Sequence, residues 1–262
     1  MSLYATFSRE MHLITVMMLM KKGKRLVCAG LLALCCLMPA RAQNDFALFQ
    51  SEAGGASLLY RGQKAYVHNL LFNGTYYWSD PGFRPGSVVY HGKQYDNVQL
   101  NIDAARQDLL VRIPGSILEK VVDWRYTKEF MMGGRHFLNL QFLCGENAPE
   151  GYWQVLHEGP IRLLMQVSKQ LEQDLDGSKR DQTGFDGVYR PTVYQVFTRQ
   201  VAYCCLREDG TIVPLHRRRD ILKQFDPSLR REIRRHVKRR EGNEFMELEQ
   251  YCREVLNYVE SR

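Results

Sequence analysis

Tight-turn residues recur at short spacing through the middle of this chain, and no other feature limits its fold so strongly. Gly92, Gly133-Gly134, Glu158-Gly159-Pro160 and Asp209-Gly210 each stand between two short apolar or alternating runs. Glycine reaches the positive φ of a tight hairpin turn without steric cost. The flanking runs are 88–90 and 95–100, 121–126 and 135–143, 152–157 and 161–167, and 201–207 and 211–215; a further run, 109–113, ends at Pro114-Gly115. No helical period lies between them. The expectation is an antiparallel meander over residues 64–216 rather than parallel strands joined by crossover helices. Within 95–100, Tyr95, Asn97 and Gln99 should share one face. Within 135–143, His136, Leu138, Leu140 and Phe142 should form the apolar face. Residues 172–187 are polar and glycine-rich and read as a long loop.

The period changes after His216. Asp220 can cap a short helix that carries Ile221, Leu222 and Phe225. Asp226-Pro227 restarts the chain, with Asp as N-cap and Pro at the first helical position. Leu229, Ile233 and Val237 then form a stripe, and Gly242-Asn243 ends that helix. Phe245, Leu248, Cys252, Val255, Leu256 and Val259 make an apolar arc on the last helix. Residues 217–262 therefore read as amphipathic helices that cover an open sheet face. The expected fold class is α+β, an antiparallel β-meander body closed by a C-terminal helical pair.

At the other end, Lys21-Lys22-Gly23-Lys24-Arg25 precedes an apolar run, 26–38, and then Pro39-Ala40-Arg41-Ala42. This order is that of a secretory signal peptide over 1–42, with Met20 as a natural start. The apolar run is too short for a membrane-spanning helix, which needs about 20 residues. Residues 43–63 are polar and small and read as a leader. The formal charge of the whole chain is +7. Most of it sits in the export segment, which leaves residues 43–262 close to neutral, so whole-chain charge gives no argument for a polyanion ligand. The remaining charge is segregated, because residues 217–240 hold eleven basic and three acidic side chains. Cys144, Cys204, Cys205 and Cys252 stay in the mature chain, in a compartment that permits disulfides.

Several phrases carry a family resemblance. They are Pro85-Gly86-Ser87-Val88-Val89-Tyr90-His91-Gly92-Lys93-Gln94-Tyr95-Asp96-Asn97-Val98, then Leu100-Asn101-Ile102-Asp103, then Gln107-Asp108-Leu109-Leu110-Val111, and the run from Arg207-Glu208-Asp209-Gly210-Thr211 to Ile221-Leu222-Lys223-Gln224-Phe225. As a set, over roughly residues 60–262, the chain resembles a family of exported proteins of Bacteroidetes-type bacteria. The resemblance implies export and a strand-rich body with a helical end. It implies no activity and supplies no catalytic residue. Ala202-Tyr203-Cys204-Cys205-Leu206 departs from the family pattern, which is cysteine-poor there.

The sharpest local feature is the basic run at Arg230, Arg231, Arg234, Arg235, Lys238, Arg239 and Arg240. It is the candidate contact surface for an anionic envelope surface or an acidic envelope protein. A solvated outer helix face is the plainer reading of the same residues. Export and the lack of interleaved aromatics argue against nucleic acid. Cys204 and Cys205 should point to opposite faces of one strand, either as two buried thiols or with one bonded to Cys144 or Cys252. The histidines His68, His91, His136, His157, His216 and His236 show no metal spacing, and Asp174-Leu175-Asp176-Gly177 is a poor calcium loop. No metal, cofactor or catalytic residue is expected. The acidic pairs Asp103/Asp108 and Glu119/Asp123 keep one alternative open, a hydrolase of envelope glycan or peptide. Trp78, Trp124 and Trp153, with Tyr76, Tyr77, Tyr152 and Phe83, serve either as core or as a ligand platform. The expected role is a non-enzymatic binding or structural protein, periplasmic or attached to the outer membrane, with edge-strand pairing as a second mode of contact.

Overall fold

The computed structural model describes residues 52–68, 72–173, 195–241 and 246–262. All elements below belong to one compact unit, Gly55–Arg262. The fold is α+β. Ten strands form one antiparallel sheet: β1 (Arg84–Tyr90), β2 (Lys93–Asp103), β3 (Asp108–Arg112), β4 (Glu119–Val122), β5 (Thr127–Met132), β6 (Arg135–Asn139), β7 (Tyr152–His157), β8 (Ile161–Gln173), β9 (Gln195–Arg207) and β10 (Ile212–Leu215). Among the described residues of this unit, four α-helices accompany them: α1 (Leu140–Cys144), α2 (Arg218–Leu222), α3 (Pro227–Glu241) and α4 (Leu248–Glu260).

The strand order is β10-β9-β8-β7-β6-β5-β1-β2-β3-β4. It is two meanders, β1–β4 and β5–β10, joined where β5 pairs with β1. Only residues 123–126 link β4 to β5, and 124–126 of these are a 3-10 turn. Strands of a flat sheet lie about 4.8 Å apart, so this link cannot cross β3, β2 and β1 unless the sheet curls. The curl also brings the β2–β3 turn onto β8. Lys169 N–H donates to the Ala104 carbonyl at 3.0 Å, and Gln107 Nε2 donates to the Val167 carbonyl at 3.1 Å.

The glycine turns lie where turn chemistry puts them. Gly133 and Gly134 have φ of +55° and +74° between β5 and β6. Gly86 is required for a different reason, since a Cβ there would run into the Met131 carbonyl across the β1–β5 pair. The expected alternation fails in two places. Asn97 has φ of +56°, which adds a bulge to β2 where the β1 register shifts, so Tyr95 turns inward with Val98 and Leu100. The run 135–143 is a strand only to Asn139. The Asn139 side chain then accepts from Phe142 N–H and starts α1, so Phe142 is exposed while Phe137, Leu138 and Leu140 are buried. The partner of β6 across Gly133-Gly134 is 127–132. Residues 121 and 122 of the expected strand belong to β4, and Trp124–Tyr126 is the 3-10 turn. Leu59 and Tyr60, within the polar stretch 43–63, are buried.

The core has two sides. Phe130 and Phe137 are direct cross-strand partners and stack at 4.9 Å with an 8° tilt. On the β8–β10 part, one face carries Leu164, Cys204 and Leu206 against Leu138, Leu140 and Trp153. The opposite face carries Leu163, Cys205 and Leu215 under Ile221, Ile233, Val237, Cys252, Val255 and Leu256. Both faces are covered, which explains the unbroken apolar runs there. Both sheet edges are blunted. Residues 63–65 bond to β4 through Val121 N–H on the Gln63 carbonyl and Ala65 N–H on the Glu119 carbonyl. β10 is four residues long and contains Pro214. Edge-strand pairing with a partner therefore has little backbone to use.

Candidate interface on the basic helix

Asp226 and Pro227 start α3 as the sequence indicates, and Arg230 N–H donates to the Asp226 carbonyl at 3.0 Å. Asp220 does not precede α2 but lies inside it, where its carboxylate accepts from His216 and Arg217 N–H at 3.3 and 3.0 Å. Lys223 at 3.0 Å is the main reason that the Asp220 carboxyl is held below the usual range. Ile233 and Val237 are buried at 0% and 2% exposure, and Leu229 packs beside them.

The seven basic candidates fall into groups. Arg230 is half-buried and works locally, since its Nε donates to the Phe225 carbonyl at 2.7 Å and its Nη2 to Lys223. Arg240 leans towards α4 and pairs with Glu254 at 3.2 Å. Arg239 is exposed and donates from Nε to the Arg235 carbonyl at 3.3 Å. Arg231, Arg234, Arg235 and Lys238 are exposed, and no carboxylate among the described residues lies within ion-pair distance of any of them. An α-helix turns about 100° per residue, which places these four within one arc opposite Ile233 and Val237. The flank between the two arcs is tied to the C-terminal segment. His236 donates to Glu254 at 2.8 Å, and Glu232 pairs with Arg262. Basic residues of the last turn, such as Lys238 and Arg239, also complement the helix dipole. That explanation does not reach Arg231 and Arg234, in the middle of the helix.

The other candidates do not assemble into a reaction centre. Asp103 and Asp108 face each other across β2–β3, but Asp103 is 2% exposed and bonds to His68 Nε2 at 3.0 Å and to Ala105 and Arg106 N–H. Asp108 pairs with Arg106 at 3.0 Å. Glu119 and Asp123 do not face each other. Glu119 lies opposite Arg112 and pairs with it, and Asp123 pairs with Arg125. Arg125 is also the chief reason that the Asp123 carboxyl sits below the usual range. No group of three metal-ligating side chains occurs among the described residues. The residues 174–177 lie outside them.

Cys204 and Cys205 lie on opposite sheet faces, as strand geometry demands. All four described cysteines are free thiols. Burial pushes Cys205 and Cys252 up to about 12 and Cys204 further. Of the tryptophans, Trp153 is buried and Trp78 is half-buried against Phe137, whereas Trp124 stays 44% exposed. Comparison with family models, with curated proteins and with solved structures gives no match.

Proposed function

We propose that this chain is an exported, non-enzymatic envelope protein that docks on an anionic, phosphate-rich membrane surface through the outer face of α3. The observation that carries this reading is the stripe Arg231, Arg234, Arg235 and Lys238, four exposed cations in one arc without carboxylate partners among the described residues. Glu232, His236 and Arg240 of α3 are engaged with α4 or the C-terminus. The leader-like pattern over 1–42 and the resemblance to exported proteins support the compartment.

The chemistry of the face favours head groups over bilayer insertion. The large apolar residues of α3 point into the core, so the face has nothing to bury in hydrocarbon. Attraction then comes from charge, at about 1 kcal/mol per Lys or Arg near an anionic surface, and fades within a Debye length of roughly 8 Å at physiological salt. An acidic protein would use the same cations and is the competing outcome.

The test is flotation of residues 43–262 with phosphatidylglycerol vesicles and with phosphatidylcholine vesicles. The wild type should float only with the anionic lipid. The variant Arg231→Glu, Arg234→Glu, Arg235→Glu, Lys238→Glu should stay in the load while keeping its thermal transition. A variant that floats as well as the wild type would remove the reading.

A further inference from the structure

We propose that a second site, formed by the β3–β4 hairpin, the Trp124–Tyr126 turn and the start of β7, binds a neutral pyranose sugar. Two cavities of about 560 and 190 Å³ lie there, and Asp108 and Trp124 border both. The larger falls in the range of small-molecule sites, roughly 300–1,000 Å³.

Trp124 is the first element. Its indole remains 44% exposed at the cavity wall. Its backbone is fixed, because Asn139 Nδ2 donates to its carbonyl at 2.7 Å and the Asp123 carboxylate accepts from the next N–H at 3.0 Å. A rigid, amphipathic ring at a cavity wall suits a ligand with an apolar face and polar edges. A pyranose is such a ligand, with C–H bonds on its faces and hydroxyls at its rim.

Asp108 and Asp123 are the second element. They lie one step beyond the last β3–β4 pair, Leu109 and Val122, and both carboxylate residues line the larger cavity. Each has its own guanidinium. Arg106 Nε lies 3.0 Å from Asp108, and Arg125 bonds Asp123 through Nε at 3.0 Å and Nη2 at 2.7 Å. Each pair presents an acceptor beside a donor, the pattern that two adjacent hydroxyls require, since each hydroxyl both donates and accepts.

Charge is the third element. Arg61, Arg106 and Arg125 balance Asp108, Asp123 and Glu150 along the two walls. A phosphate or a cation would meet as much repulsion as attraction there, and a neutral polyol meets neither. Asp108 and Asp123 are both ion-paired, so this pair does not supply the free acid that glycoside cleavage needs.

None of these residues lies on α3, so this site and the basic face can fail independently. The experiment is fluorescence titration and calorimetry of residues 43–262 with cellotetraose, maltotetraose and tetra-N-acetylchitotetraose. At least one should bind saturably in the micromolar to millimolar range. Trp124→Ala should weaken it about tenfold or more, equivalent to about 1.4 kcal/mol, and Trp124→Phe should weaken it less. Asp108→Asn, nearly isosteric, should also weaken it, and the four-site α3 variant should bind as the wild type does. No saturation by any of the three up to about 10 mM, or unchanged affinity in folded Trp124→Ala or Asp108→Asn, would overturn the proposal.

Discussion

Glu254 on the last helix accepts from Nε2 of His236 at 2.8 Å, and this contact ties one flank of the basic helix to the last helix. The same carboxylate holds Arg240 at 3.2 Å. Beside this flank Ile233 and Val237 are buried in the core, and Arg231 and Arg234 are exposed. His236, and after it Arg240, hold the Glu254 carboxyl below the usual glutamate range. A carboxyl lowered in the folded state adds stability above its unfolded pKa, near about 4.3, and loses it as pH falls through the folded value. Glu254→Gln should therefore cost about 1 kcal/mol at neutral pH, with the gap to wild type closing below about pH 4. Urea unfolding across pH measures this. A gap that persists undiminished in acid would contradict the ion-pair account.

The thiols give a second prediction. Cys204, Cys205 and Cys252 are buried on the two covered faces of the sheet, and Cys144 is only half-buried. A thiol reacts as thiolate, and burial suppresses that form. In native protein near pH 8, a maleimide should modify Cys144 first and leave the other three untouched until denaturant is added. Intact mass should show four thiols in residues 43–262. Rapid native labelling of all four, or a mass lower by two hydrogens per bonded pair, would contradict the packing described.

Asn139 supports a third. It is 2% exposed, donates to the Trp124 and Thr127 carbonyls at 2.7 and 2.9 Å, and accepts from Phe142 N–H. Asn139→Leu leaves two carbonyls and one helix-start N–H without that partner, and should cost about 2–4 kcal/mol. The urea midpoint measures it. A loss within about 0.5 kcal/mol, as for an ordinary surface change, would show that the three contacts do not hold the turn.

Local chemistry was legible in the sequence, and non-local chemistry was not. Gly133-Gly134 and Asp209-Gly210 marked their turns, because positive φ is a property of the residue itself. The Leu229, Ile233, Val237 stripe marked the buried face of α3, because helical period needs no partner. The strand 127–132 was hidden, since Lys128 and Glu129 give it little apolar signal while Val121 and Val122 next door read as strand. Asp123 ends that neighbouring run by accepting from Arg125 N–H. The pairing of β5 with β1 joins residues 37 to 46 positions apart in the chain, so no local pattern carried it. The wall of Asp108, Asp123 and Trp124 depends on that curl and was equally hidden. The sequence also did not divide the basic run. Only the structure separates Arg230 and Arg240, which are engaged, from Arg231, Arg234, Arg235 and Lys238.

The docking proposed for this last stripe is on an anionic surface. Its most direct measurement is the partition of residues 43–262 onto phosphatidylglycerol vesicles as salt is raised, for wild type and for the variant with Arg231, Arg234, Arg235 and Lys238 changed to Gln. Binding should weaken steeply with salt and lose about 1 kcal/mol per cation removed. Binding that is indifferent to salt, or equal in the two proteins, would contradict the proposed docking.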